Sequence, residues 1–310
     1  MTLRVALIGL GGIAEKAYLP LLTSWEGVEL LLSSHTPATV REVQERYRLL
    51  RGTTDLEELL SWEPQAAFVT TPSPTHYEIA RTLLEAEVDV FTEKPATMES
   101  DQTLALAELA DERERVLMVG FNRRYAPLHQ KARELWGERE IGLCTLEKHR
   151  DGAAHPNLFS NYIDDTIHII DLLRFFCGDT ERVVSTVTEM SGGRLVGAFS
   201  TAALPSGGYS QVLTSLQAGG WTERYTLHGD GASLYVDAFY RLRLVTGDGE
   251  QVWREPYASS WKPTLQARGF TAEIEHFFDC VRSRRQPRTS GWEALKTQRL
   301  LEEMVAREEA

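Results

Sequence analysis

The strongest constraint on this chain lies near its start. An apolar run over residues 3–8 breaks into Gly9-Leu10-Gly11-Gly12-Ile13-Ala14, and a helix-like stretch over residues 14–24 follows at once. A short apolar run that stops at glycine reads as a buried strand. The loop is therefore a strand-to-helix turn, and each small residue in Gly9-x-Gly11-x-x-Ala14 has a physical task. Gly9 permits the tight turn, Gly11 lets the backbone approach a pyrophosphate, and Ala14 allows close helix–strand contact. The helix N-terminus adds N–H donors and the positive end of its dipole. Gly9, Gly11, Gly12, Ile13 and Ala14 are thus candidate phosphate contacts. Alone, such a turn shows only that a phosphate would fit.

Its surroundings turn the fit into an expectation. Residues 28–32, 66–69, 88–91 and 116–119 read as further strands. Residues 37–50, 55–61, 76–86 and 100–114 read as helices. Thr54 is the expected N-cap of the second of these, with Glu57 at the third following position, and Ser100 that of the last. Strands alternating with helices predict a doubly wound parallel sheet, an α/β Rossmann domain that binds a dinucleotide. Near residue 141 the rhythm changes. Residues 143–148, 183–190, 194–200, 209–216, 223–228, 232–236 and 241–245 read as strands between Gly-rich turns, interrupted by a helix over 162–176. They predict a C-terminal α/β domain with a large, open, mostly antiparallel sheet. Helices over 271–283, with Ile274, Phe277, Phe278 and Val281 on one face, and 292–307 close the chain. The expected organisation is 1–122 and 123–310, with the last helices free to pack back on the first domain.

The second strand ends in Ser33-Ser34-His35-Thr36. An Asp or Glu there would accept hydrogen bonds from the ribose 2′-OH of NAD and repel a 2′-phosphate. Small hydroxyl residues accommodate the phosphate, and Arg41 is a candidate cation for it. The expected cofactor is NADP, with NAD as the alternative if these are plain turn residues.

Charge and composition remove other classes. A net charge of -12 disfavours a nucleic-acid partner. No apolar run approaches the roughly 20 residues of a membrane span, and no signal-peptide pattern opens the chain. A cytoplasmic protein is expected. Three scattered cysteines, Cys144, Cys177 and Cys280, suggest no disulfide framework. His149 and His155 lack ligand partners at metal-site spacing, so no metal is expected.

Four further stretches carry a family resemblance: Thr70-Thr71-Pro72-Ser73-Pro74-Thr75-His76, Glu93-Lys94-Pro95, Val119-Gly120-Phe121-Asn122-Arg123-Arg124-Tyr125-Ala126-Pro127 and Asp164-Asp165-Thr166-Ile167-His168-Ile169-Ile170-Asp171. Together they resemble the Gfo/Idh/MocA family, which includes glucose–fructose oxidoreductase and inositol dehydrogenase. Lys148-His149-Arg150, Thr264-Leu265-Gln266 and Arg268-Gly269-Phe270 are similar to its virulence factor MviM-like branch. The resemblance implies a nicotinamide-dependent oxidoreductase with its active site between the two domains, and a homodimer or dimer of dimers formed by pairing of the open sheets.

It also implies site residues. Lys94, Asp164 and His168 map onto the family's catalytic positions. Asp164 and His168 are four apart and would share a helix face. Oxidation of a secondary alcohol releases the hydroxyl proton as hydride leaves the carbon. His168 is the expected base, since imidazoles titrate near neutrality. Lys94 would stabilise the developing alkoxide, and Asp164 would orient the substrate or His168. Asp171 is placed to orient His168 or to pair with Arg174. Thr71, Pro72, His76, Glu93, Lys94, Asn122 and Arg124 are expected cofactor neighbours; for His76 capping of its helix is an equal reading. Lys94, Lys148, Arg150 and Asp165 are candidate substrate contacts, although Lys148 and Arg150 read equally well as a solvated charged strand. The lead-in Asn157-Leu158-Phe159-Ser160-Asn161-Tyr162-Ile163 lacks the glycines many members carry, which weakens transfer of substrate identity. The expected reaction is hydride transfer between nicotinamide and a carbon of a sugar, polyol or related hydroxy or keto compound. A regulatory protein without turnover and a reductase of a non-sugar ring, like biliverdin reductase, are the alternatives.

Overall fold

The structure, a computed structural model, describes residues 2–152, 155–255 and 264–309. They form two compact units, Met1–Gly120 with Glu273–Leu295, and Phe121–Ala272 with Lys296–Ala310.

The first unit carries six parallel strands, β1 (Leu3–Ile8), β2 (Val28–Ser33), β3 (Gly52–Thr53), β4 (Ala66–Val69), β5 (Asp89–Glu93) and β6 (Leu117–Gly120), in the order β3-β2-β1-β4-β5-β6. This is the doubly wound Rossmann order, which reverses direction between β1 and β4. The strands are near-continuous apolar runs because both faces are covered. On one face Ala80, Leu83 and Leu84 of α4 (His76–Glu85) and Leu106 and Ala110 of α5 (Ser100–Glu112) pack on Ala67, Val69 and Val90. On the other, Phe277 and Phe278 of the helix Phe270–Ser283 meet Phe68, at ring separations of 5.2 and 5.8 Å. The apolar face expected of that helix, Ile274, Phe277, Phe278 and Val281, is buried.

Three local expectations change. The first helix, which opens at Gly12, passes through a π-turn, Ala14–Tyr18, before α1 (Leu19–Leu22), with the Leu19 N–H donating to Ala14 O. The cap of α3 (Leu56–Ser61) is Asp55, not Thr54: the Asp55 carboxylate accepts from Glu57 N at 2.7 Å and Glu58 N at 3.3 Å. A carboxylate one residue nearer reaches the free N–H groups that a Thr54 hydroxyl would have served. At α5 the cap position is Glu99, with no side-chain cap bond, and Ser100 is already helical.

The second unit holds nine strands, mostly antiparallel, ordered β14-β13-β12-β11-β7-β10-β9-β8-β15. They are β7 (Leu143–Asp151), β8 (Arg182–Ser191), β9 (Arg194–Ala203), β10 (Tyr209–Ser215), β11 (Gln217–Gly229), β12 (Ala232–Asp237), β13 (Arg241–Thr246), β14 (Gly249–Arg254) and β15 (Glu308–Glu309). β14, β15 and the two-residue β3 were not anticipated. Nor was α6 (Pro127–Trp136), whose Pro127 sits at its first turn, where a missing N–H costs nothing. The expected helix over 162–176 is two pieces, a π-turn Tyr162–Thr166 and α8 (Ile167–Cys177), and it is preceded by an unexpected turn of helix, α7 (Leu158–Asn161). Among the described residues no helix is long and apolar enough to cross a membrane.

Candidate functional site

At the carboxyl ends of β1 and β4, where the strand order reverses, lies a cleft of about 760 Å³. Open α/β sheets bind ligands at this switch point. Its wall includes Gly9 to Gly12, Ser33 to Thr36 and Thr70 to Pro72. The two loops are tied by Thr70 N to Ile8 O at 2.8 Å and Thr70 Oγ1 to Gly9 O at 2.6 Å. Gly9 has φ +94°, and a Cβ there would fall 2.6 Å from Thr71 N. Its glycine is demanded by the fold itself. Gly11 and Gly12 differ: a Cβ at either would meet no protein atom within 4 Å. Nothing in the protein requires glycine there, so the bare backbone is left for something that enters the cleft. Ala14 is fully buried where its helix crosses the strands, and Ile13 precedes the π-turn. This cradle fits a dinucleotide pyrophosphate.

The far end of the cleft is lined by Ser33, Ser34, His35, Thr36, Thr39 and Thr54, with no carboxylate. Arg41 is exposed on α2 (Pro37–Tyr47) and is not part of the lining. Near the opposite wall, His76 is buried and bridges two backbone carbonyls, Thr71 O and Pro95 O, each at 2.8 Å. Its ring ties the cleft loop to the Lys94-Pro95 segment instead of capping α4. Glu93 is buried too. It accepts from Tyr18 Oη at 2.6 Å and from Lys94 N at 3.0 Å, so it anchors the helix after the glycine loop to the residue before Pro95. Lys94 follows β5 directly, at the carboxyl edge of the sheet.

In the second unit, Asp164 and His168 flank the end of the π-turn, where the Ile167 N–H donates to Tyr162 O. The extra residue in that turn widens it, and such turns recur at functional sites. Asp164 is exposed and His168 half-buried. Asp165 points elsewhere. Its carboxylate takes a two-pronged bond from Arg150, with Nε at 3.0 Å, and an ion pair from Lys148 Nζ at 2.8 Å. Lys148 Nζ also donates to the Asp165 backbone carbonyl at 2.7 Å.

Lys148 is fully buried. On β7 it shares the core-facing parity of Cys144 and Leu146, and across the ladder it faces Glu223 of β11. Glu223 in turn holds Arg123, with Nε at 2.8 Å, and accepts from Tyr225 Oη at 2.6 Å. Burial and the Arg123 charge pull the Lys148 ammonium down to about 8, against the opposing pull of Glu223 and Asp165. Burial alone would raise Glu223, but Arg123 and Lys148 outweigh it and hold the carboxyl at about 2. Asp165 behaves alike: burial is overcome by Arg150 and Lys148, and it sits well below the usual carboxylate range. Lys148 is thus a sealed brace beneath the π-turn, neither a solvated strand residue nor a group open to a ligand.

Arg124 is buried in a bidentate pair with Asp171, both bonds 2.7 Å, and Thr297 Oγ1 donates to the same carboxylate at 3.0 Å. Asp171 therefore serves Arg124, while Arg174 pairs with Asp179 at 2.6 Å. Asn122 donates from Nδ2 to Arg268 O at 2.8 Å. Gly269, at φ +90°, lets the Arg268-Gly269 turn close on it, since a Cβ there would lie 2.2 Å from Asn122 O.

Comparison with known proteins adds to this geometry. Residues 3–121 match the family model for Gfo/Idh/MocA oxidoreductases with an NAD-binding Rossmann fold. YceM of Salmonella typhimurium, an oxidoreductase by name, is 32% identical over 310 residues, spanning 97% of this chain and 96% of its own. The chain belongs to the Gfo/Idh/MocA family. Inositol 2-dehydrogenase of Rhizobium meliloti is 23% identical, covering 95% of this chain and 93% of its own. The structure of the dehydrogenase MviM from Clostridium difficile matches with a TM-score of 0.90 and 26% identity over 99% of both chains. The protein is accordingly an oxidoreductase with an NAD(P)-binding Rossmann domain.

Within this Gfo/Idh/MocA chain, the cleft brings together Gly9, Gly11, Gly12, Ser33, Ser34, His35, Thr36, Thr71 and Pro72 of the expected cofactor contacts. Its lining does not include Ile13, Ala14, Arg41, Lys94, Asn122 or Arg124, and Glu93 and His76 serve as internal ties. Sequence reasoning missed Thr39, Thr54 and Thr75 in the cleft wall, and Glu223 as partner of Lys148 and Arg123. Lys148, read from sequence as a substrate contact or a solvated strand residue, and Glu223 are both buried; the alternation of β7 and β11 carries that signal, and their pairing depends on strand register.

Proposed function

We propose that this oxidoreductase transfers a hydride between NADP(H) and a carbon of a sugar, polyol or related hydroxy or keto compound. The observation that carries the reading is the brace on Lys94. His76 fastens the Lys94-Pro95 segment to Thr71, a residue of the cleft wall. The backbone beside Lys94 is thereby tied to the loop proposed to receive the dinucleotide.

When bound, the nicotinamide supplies the hydride acceptor or donor. Lys94 hydrogen-bonds the substrate oxygen and stabilises alkoxide charge as it develops. His168 accepts the hydroxyl proton as the carbon gives up its hydride, and returns it in reduction. Asp164, within the π-turn that precedes His168, orients the substrate or the ring. Asp165 and Arg150 act as a pair at the end of β7, with Arg150 partly exposed and Asp165 holding it by both oxygens. The hydroxyl-lined, carboxylate-free end of the cleft favours the 2′-phosphate of NADP. A homodimer, or a dimer of dimers, through the open sheet completes the reading: Leu143 and Tyr209 are exposed there on the paired strands β7 and β10, and Val187 on β8 beyond β9.

A panel of sugars, polyols and their keto counterparts, followed at the nicotinamide absorbance, tests the reaction. Turnover is expected, with Lys94→Ala and His168→Ala each lowering kcat by about 100-fold or more. Unchanged turnover in both variants would refute the assigned roles. Tight NADPH binding without turnover on any compound would favour a nicotinamide sensor.

A further inference from the structure

A 2′-phosphate needs a positive partner as well as room. Among the described residues, seventeen line the cleft, from Ile8 to Ile79, and His35 is the one titratable side chain among those seventeen. Arg41, the cation suggested by sequence, is exposed on α2 outside the lining. The remaining charges on the surrounding elements are also outside it. Glu15 and Lys16 are exposed on the π-turn and Glu42 on α2. Asp55 caps α3, and Glu58 accepts from the Thr53 hydroxyl. His35 itself follows Ser33 and Ser34 at the end of β2, where the ribose discriminator of a Rossmann domain stands.

We infer that His35 is the cationic partner of the NADP 2′-phosphate, and that it makes the preference for NADP over NAD fall as pH rises. The inference rests on the NADP reading above. Imidazoles lose their charge between about pH 5 and 8, whereas an arginine at this position would hold its charge throughout. The protonated ring donates to the phosphate, with the hydroxyls of Ser33, Ser34 and Thr36 as neutral donors that persist at any pH. NADH, with a 2′-OH, gains nothing from the ring's charge. The phosphate itself loses its second proton near pH 6, so both test pH values lie above that step.

The test is calorimetric binding of NADPH and of NADH to the native chain, His35→Ala and His35→Arg at pH 6.5 and 8.5, without substrate. His35 is exposed, so the effect is that of a solvent-screened ion pair. The NADPH Kd of the native chain is expected to rise about two- to fivefold between the two pH values, while the NADH Kd stays constant. In His35→Ala the NADPH Kd is weak and flat; in His35→Arg it is tight and flat. A native NADPH preference that does not change with pH and survives in His35→Ala would overturn the role of His35 and leave the NADP reading standing. Absence of an NADPH preference at both pH values would overturn that reading and this inference with it.

Discussion

Replacing Gly9 and Gly11 separately by alanine divides the loop's structural task from its ligand task. Gly9 has φ +94°, and an added Cβ would lie 2.6 Å from Thr71 N, 2.7 Å from Thr70 C and 2.8 Å from Thr71 Cα. These are backbone atoms and cannot rotate away. A left-handed conformation costs a non-glycine residue roughly 1–2 kcal/mol, and overpacking of this kind typically adds about 1–3 kcal/mol. Gly9→Ala is therefore expected to lose roughly 2–5 kcal/mol. At about 2–4 °C per kcal/mol for a domain of this size, the melting temperature should fall by on the order of 10 °C. Gly11→Ala meets no protein atom within 4 Å, so its melting temperature should stay close to native or rise slightly, because alanine restricts the unfolded chain. Its NADPH affinity should nevertheless drop at least about tenfold, or ~1.4 kcal/mol, since the new methyl occupies the phosphate's approach. Thermal unfolding by intrinsic fluorescence and calorimetric titration with NADPH read the two effects. An unaltered melting temperature in Gly9→Ala would refute the close approach of the two loops, and unaltered NADPH binding in Gly11→Ala would refute the pyrophosphate assignment.

Other outcomes follow from the same structure. Glu223→Gln leaves Arg123 and Lys148 buried beside a neutral partner and should cost about 3–5 kcal/mol in urea unfolding. Because the folded Glu223 carboxyl is held at about 2, below its ordinary 4.5, its contribution is present above pH 4.5 and lost as pH falls toward 2; the variant should lose part of the native chain's steepening acid sensitivity across that window. Arg41→Ala should leave the NADPH Kd within about twofold of native, since surface ion pairs beyond the binding wall are worth little, and a larger loss in titration would bring Arg41 back to the phosphate. If the proposed dimer forms through the open sheet, Val187→Asp, placed at an exposed position of that sheet, should shift light scattering behind size exclusion to the monomer mass while leaving NADPH binding unchanged, and an unshifted dimer mass would refute that interface.

Much of the site was legible before folding because its signals are local. A strand, a glycine turn and a helix occupy one continuous stretch, so the phosphate cradle at Gly9 to Ala14 needs no distant partner to be recognised. The missing acid at Ser33 to Thr36 is likewise a property of four consecutive residues. The π-turns at Ala14–Tyr18 and Tyr162–Thr166 were not legible: helical periodicity spans them with little change, since the inserted residue shifts hydrogen-bond partners more than it shifts the apolar pattern. The strand Gln217–Gly229 was read six residues short at its start for a related reason. Gly219 and Gly220 break the alternation where the β11–β7 register itself shifts.

By itself the sequence determined where a phosphate can sit, which face of each element turns inward, and which residues have the chemistry to move a proton. Cys144, Leu146 and Lys148 share one parity on β7, as do Glu223, Tyr225 and Leu227 on β11, yet a charged residue at such a position reads equally as solvated until its partners are known. Only the tertiary structure decided that those two side chains face each other, that Arg123 and Asp165 complete their charge balance, and that His35 lines the cleft while Arg41 does not. The reason is range. Periodicity and loop chemistry act between neighbours in the chain, whereas a buried charge needs partners brought from strands and turns up to a hundred residues away, and their register is set by the packing of the whole sheet.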